Sequence, residues 1–308
     1  MAIGIAAETI ATPADWKHWA PGEAASACGP SFLANRVGTI DAMHIPVFHI
    51  DAFTGRAFTG NPAAVCFLDF WLDDGLLRKV AAENNLPATA FLIPSAEGYD
   101  LRWFSPACEL RLCGHATLAA GFVVFHFLKT ELKEVQFSTT FRGKLSVRRA
   151  GELLEMDFPA ITAKPCAPPA ELFEALAPTL KPGDILELFE GNDTYAAFLT
   201  SQNQVNHFQP NLAALVKLHP RVVVLTAQGD DVDFVSRYFA PGYGIPEDFV
   251  TGSSHCLLTP IWAKRLGKTE LQARQLSARG GELRCEWKGD RVLLRGKAVP
   301  IMQGSLTI

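Results

Sequence analysis

The sequence predicts an α+β protein of two pseudo-symmetric domains, each a mostly antiparallel sheet rolled around a central helix. Three observations lead there. First, Leu101-Arg102-Trp103-Phe104-Ser105-Pro106 runs from an apolar strand through a loop to Cys113-Gly114-His115. From Gly114 the residues turn small and then apolar through Leu128, the pattern of a buried helix too short to span a membrane. Second, Tyr238-Phe239-Ala240-Pro241, then Glu247-Asp248, then Thr251-Gly252-Ser253 and an apolar run to Leu266 repeat that plan. In each stretch an acidic residue (Glu109, Asp248) precedes a glycine (Gly114, Gly252) and a helix of similar length, so the repeat predicts two helix mouths facing one cleft. Third, short strands dominate the remainder, which favours antiparallel sheets wrapped on helices.

Taken in order, residues 1–42 are rich in small residues, proline and glycine without a period, and lack the basic start and apolar core of a signal peptide. They read as an N-terminal extension carrying no chemistry, with Met43 a plausible alternative start. The first domain is expected over 43–158. Residues 45–53 alternate as a strand, 54–62 turn, 63–68 form a second strand, and 71–84 a helix with Asp73 and Asp74 in its first turn. A short strand follows at 89–93, then the first central helix, then strands near 135–138, 144–148 and 153–158. Prolines concentrated between 159 and 169 mark the linker. The second domain, 159–297, alternates again: helix 170–176, strands 185–188 and 195–199, helix 212–218, strands 222–226 and 234–238, and the central helix 252–266. A hairpin closes it, 282–287 turning through Lys288-Gly289-Asp290 into 291–295, and a last strand near 298–308 is placed to pack on the first domain.

A net charge of -4 offers no basic footprint for nucleic acid or an anionic membrane, which leaves small metabolites. Seven scattered cysteines imply a reducing compartment, and the spacing after Cys108 and Cys113 supplies no second metal-ligand pair.

The helix mouths carry the candidate chemistry. Unpaired N–H groups and the helix dipole at Gly114 and Gly252, with the Ser253 hydroxyl, suit a carboxylate or an enolate. His115 is placed to donate to a substrate oxygen or relay a proton, and the dipole disfavours its charged form. Asp248 is either a plain helix N-terminal acid or, across the cleft from His115, a proton-transfer group. The dipole favours thiolate at Cys113, with inert packing as the plainer account, and no cysteine faces it in the second repeat, so two-base racemisation is disfavoured. Asn61 and Asp51 have turn chemistry as a sufficient role beside ligand contact, Glu109 an orienting one, and Gly280-Gly281 a turn.

These residues resemble the phenazine-biosynthesis PhzF-like family. The resemblance rests on Asp51-Ala52-Phe53 with Phe58-Thr59-Gly60-Asn61-Pro62-Ala63-Ala64-Val65, on Arg102-Trp103-Phe104-Ser105-Pro106 with Cys113-Gly114-His115-Ala116-Thr117, on Arg237-Tyr238-Phe239-Ala240-Pro241 with Glu247-Asp248 and Thr251-Gly252-Ser253, and on Gln275-Leu276-Ser277-Ala278-Arg279-Gly280-Gly281. It implies a diaminopimelate epimerase-like fold with the site between two domains. It also implies a cytoplasmic homodimer without metal or organic cofactor, and isomerisation of a small carboxylated substrate by proton transfer. The sequence departs from the family at one functional position: Asn85-Leu86-Pro87-Ala88-Thr89-Ala90-Phe91 places Ala88 where the family carries its proton-shuttling glutamate. Two expectations follow, an isomerase relying on His115 and Asp248, or a non-catalytic member that binds a small molecule or a protein partner.

Overall fold

In the computed structural model, residues 43–177 and 179–308 are described; the expected extension over 1–42 lies outside them. The first half runs β1 (His44–Ala52), β2 (Asn61–Phe67), α1 (Asp74–Asn84), β3 (Ala88–Ser95), β4 (Gly98–Phe104), β5 (Glu109–Leu110), α2 (Gly114–Val123), β6 (Glu134–Thr139), β7 (Gly143–Ala150) and β8 (Leu153–Pro159). After β9 (Lys164–Pro165) and α3 (Ala170–Leu176) come β10 (Ile185–Gly191), β11 (Thr194–Leu199), α4 (Gln202–His207), α5 (Leu212–Val216), β12 (Val222–Gln228), β13 (Phe234–Ala240), β14 (Ile245–Asp248), α6 (Gly252–Leu266), β15 (Glu270–Gln275), β16 (Gly281–Lys288), β17 (Arg291–Gly296) and β18 (Ala298–Thr307).

The two halves share one pairing scheme. In the first, β1–β2 is antiparallel, β2–β3 parallel, β3–β4 and β4–β5 antiparallel, β4–β6 parallel, and β6–β7 and β7–β8 antiparallel. The second reproduces each step from β10 through β17 in the same sense. Antiparallel pairing of β17 with β8 joins them. The strands that close each half cross over: β18 pairs with β1, and β9 with β10. Pseudo-symmetry therefore extends to the order and direction of strand pairing.

Burial explains the central helices. Every residue of α2 from His115 to Val123 is buried, so the helix has no solvent face and must be wrapped on all sides. Ala63, Val65, Ala88, Ala90 and Leu92 supply the sheet face against it, while Ala64, Cys66 and Phe91 pack the other face with Leu77 and Val80 of α1. Two-sided burial accounts for the almost continuous apolar run of β2. At Gly121 an added Cβ would stand 2.6 Å from Val147 Cγ1, so helix and sheet touch through the missing side chain. In the second half α6 packs Leu257, Leu258 and Trp262 into the same core as α2, with Phe234 stacked on Trp262 at 5.6 Å. α3, α4 and α5 cover the outer sheet face.

Several expected elements shift. The first central helix stops as an α-helix at Val123 and continues to Leu128 as a π-helical turn. Helix α1 begins at Asp74, where the Asp73 side chain accepts from Leu76 N–H, rather than at 71. α4 goes unread in the sequence because Val205 is its one buried side chain, too little for a period. The proline-rich linker carries β9, whose two residues pair with Phe189 and Glu190.

Candidate active site

The site is assembled from four chain segments that the two halves bring together. Asn61 opens β2 directly after Gly60, where a φ of +71° and a Cβ that would stand 2.3 Å from the Ala52 carbonyl oxygen exclude a side chain. Fully buried, Asn61 extends its amide between the halves: Nδ2 lies 2.7 Å from Asp248 Oδ1, 2.9 Å from the Val250 carbonyl and 3.2 Å from His115 Nδ1. The amide donates to all three acceptors with two hydrogens, tying His115 to Asp248. Cys113 closes the group, Sγ 3.5 Å from His115 Nδ1 and 3.8 Å from Nε2.

The helix mouths meet head to head. A Cβ built on Gly114 would stand 3.8 Å from the Gly252 Cα, and one built on Gly252 would stand 3.9 Å from the Gly114 Cα. Cys113 and Thr251 are the N-caps of α2 and α6, and neither makes a side-chain cap. Two positive helix ends thus converge on one place. Ser253 is exposed in the first turn of α6.

Burial sets the charge states. Desolvation lowers His115 to about 3, so the imidazole is neutral. It raises the Cys113 thiol to about 12, overriding the helix end, and nearby Asp248 pushes in the same direction, so the thiolate favoured by the dipole in the sequence reading does not form. Asp248 ends β14 opposite Tyr238. It is half-buried, and desolvation raises its carboxyl to about 6. Hydrogen bonds from Thr251 Oγ1 at 2.5 Å and Asn61 hold the value below what burial alone would give. A carboxyl poised near neutrality can accept or return a proton at physiological pH.

Strand register corrects two points. Phe104 pairs with Glu109 and Trp103 with Leu110, while Tyr238 pairs with Asp248. With Trp103 and Tyr238 in matching motif positions, the counterpart of Asp248 is Leu110, and that of Glu109 is Glu247. The ion pairs agree. Arg102 grips Glu109 through Nε and Nη2 at 2.7 and 2.9 Å, and Arg237 grips Glu247 at the same two distances. Asp248 is also no helix N-terminal acid, since it belongs to a strand that ends before Gly252.

Ala88 opens β3 opposite Ala63, and its buried methyl joins the apolar face around α2. Asp51 accepts from Phe58 N–H and from Arg279, so its turn role is accompanied by an ion pair across the halves. Thr251 and Gln275 are the site neighbours that sequence reasoning missed as such. Gln275 opens a quoted motif, and a polar residue at the buried end of an alternating strand was the available signal. Among the described residues no group of three or more His, Cys, Asp or Glu side chains is arranged to hold a metal ion. Two surface hollows of about 710 and 700 Å³ include none of these site residues.

Two rolled-sheet halves with apposed central helices define a fold of the isomerase and epimerase type. A hydroxyproline epimerase from Agrobacterium vitis shares it with a TM-score of 0.57 at 8% identity, over 86% of this chain and 93% of that one. The family is more specific. The model for phenazine biosynthesis-like proteins matches residues 50–304, and the chain belongs to that family. An uncharacterized isomerase of Pseudomonas aeruginosa is 47% identical over 268 residues, covering 86% of this chain and 99% of the relative. The crystal structure of a PhzF-family phenazine biosynthesis protein from Enterococcus faecalis superposes with a TM-score of 0.81 at 39% identity, over 86% of this chain and all of that one.

Proposed function

We propose that the protein is a cofactor-independent isomerase that shifts a proton within a small carboxylated metabolite. One observation carries the reading: a half-buried carboxyl near pKa 6, Asp248, joined through Asn61 to a neutral His115 beside two converging helix N-termini. The helix ends at Gly114 and Gly252, with Ser253, hold the substrate carboxylate. As a proton leaves the carbon next to that group, charge grows on its oxygens and the same N–H groups stabilise it. Asp248 takes the proton and returns it at the second position, and neutral His115 donates a hydrogen bond to the developing enolate. Asn61 Oδ1, buried without a partner, is an acceptor for a substrate N–H or O–H.

Ala88 favours a second reading, in which the cleft binds its ligand without turning it over, since its methyl cannot relay a proton. The two separate in deuterated water, with cyclic and amino-acid carboxylates incubated with the parent and with Ala88→Glu and followed by mass spectrometry. Deuterium uptake by the parent supports the isomerase. Uptake with Ala88→Glu alone supports the binding protein.

A further inference from the structure

The loop after β15 carries Gln275-Leu276-Ser277-Ala278-Arg279-Gly280-Gly281, to which the proposed chemistry assigns no task. The Gln275 and Ser277 side chains turn toward residues 248–251, and Arg279 reaches across to the first half. Ser277 Oγ donates to the Phe249 carbonyl at 2.8 Å, and Arg279 lies over the Phe249 ring while donating to the Gly60 carbonyl at 2.9 Å. Gln275 is fully buried, and its side-chain hydrogen bonds all go to Asp248 and Thr251. Nε2 donates to the Asp248 carbonyl at 2.7 Å and to Thr251 Oγ1 at 3.3 Å, and Oε1 accepts from Thr251 N–H at 2.9 Å. Thr251 Oγ1 then donates to Asp248 Oδ2 at 2.5 Å.

We infer that Gln275 is a positioning residue for Asp248: its amide fixes the Asp248 and Thr251 backbones and orients the Thr251 hydroxyl onto the carboxylate. The inference deepens the isomerase reading and rests on it. Two features argue that the arrangement is more than packing. A buried amide whose donors and acceptor are all paired is conformationally locked, so it transmits geometry to what it holds. The chain of donors also runs one way, from Gln275 Nε2 to Thr251 Oγ1 to Asp248 Oδ2, and each bond polarises the next. The Thr251 hydrogen bond favours the carboxylate and so opposes the larger desolvation that raises the group. Other groups around Asp248 are Asn61 and the titratable Cys113, His115, Tyr238 and Glu247; none of the titratable four donates a hydrogen bond to its carboxylate.

The test is a carbon-detected NMR titration of protein labelled at aspartate carboxyl carbons, with the Asp248 signal assigned by its disappearance in Asp248→Asn. In the parent the signal is expected to titrate near 6. In Gln275→Ala, and in the similarly shaped Gln275→Met should the alanine variant not fold, the midpoint moves upward by about one pH unit. Thr251→Val moves it the same way and Thr251→Ser restores it, which a purely structural role does not anticipate. A parent midpoint near the ordinary carboxylate value overturns the assignment of Asp248 as the acid–base group. A parent midpoint near 6 that stays unmoved in the folded Gln275 variant overturns the positioning role alone.

Discussion

The two helix mouths share a scaffold and differ in chemistry. In each half an arginine on the strand before the mouth clamps a glutamate on the short return strand at matching distances, Arg102 with Glu109 and Arg237 with Glu247. Each half then turns into a glycine-led helix, and the two glycines abut. Yet Leu110 stands in the first half where Asp248 stands in the second, and His115 follows the first glycine where Ser253 follows the second. In the proposed mechanism the duplicated parts are the ones assigned to the carboxylate, and the groups assigned to the proton occur once. That asymmetry, one half with a raised carboxyl and the other with a neutral imidazole, is what the proposed proton shift uses.

The comparison breaks most severely at Asp248. Asp248→Asn keeps the amide-sized side chain and is expected to lower exchange by about 10²–10⁴-fold, the range for a general acid–base group, with unchanged circular dichroism. The clamps sharpen it next. Arg237 also donates to the Val205 and Phe208 carbonyls in a buried setting, so Arg237→Ala should destabilise by about 3–5 kcal/mol in urea denaturation. Arg102 is more open and shares Asp74, and its alanine variant should cost about 1–3 kcal/mol. Equal losses would mean that the halves bear load alike. Gly121→Ala tests the close helix–sheet approach of the first half, where Val147 must give way, at about 1–3 kcal/mol.

Stability against pH supplies a further asymmetry. Asp248 has a folded pKa of about 6, raised by desolvation above the ordinary 3.8. The folded state therefore binds more protons between those values. Its contribution is fully present below about 4 and lost as pH rises through about 6. His115, lowered to about 3, acts oppositely, contributing fully above its unfolded value and losing that contribution as pH falls. Urea titrations of the parent and Asp248→Asn across pH 4–7 should differ in slope, the variant losing less stability as pH rises. The smallest effect is expected at exposed Ser253, where Ser253→Ala should leave stability within about 0.5 kcal/mol. Its consequence belongs in substrate affinity, read as a raised KM.

Much of the fold was legible because it is written locally. The alternation of 45–53 marks β1, and the small-then-apolar run after Gly114 marks a helix without a solvent face. The repeat showed through the aromatic-proline strand ends, although pairing acid with acid across it selected Asp248 for Glu109 where strand register selects Glu247. Individual site residues were visible as types. Their partnerships were not, because Asn61 and Asp248 are 187 residues apart and no local pattern announces that one amide will join them. Burial decided the state of Cys113 for the same reason: the helix end is evident from sequence, but the desolvation that overrides it depends on what packs above. Gln275 stood only as the first residue of a motif, and its place behind Asp248 became visible with the fold.

The most direct measurement is deuterium incorporation, by mass spectrometry, into a panel of small carboxylates incubated in deuterated water with the parent protein and with Asp248→Asn. Uptake at a carbon next to the carboxyl-bearing system is expected with the parent, and loss of that uptake in the variant. Uptake by Asp248→Asn at the parental rate would contradict it, and would move the proton-handling role away from the carboxyl between the two helix mouths.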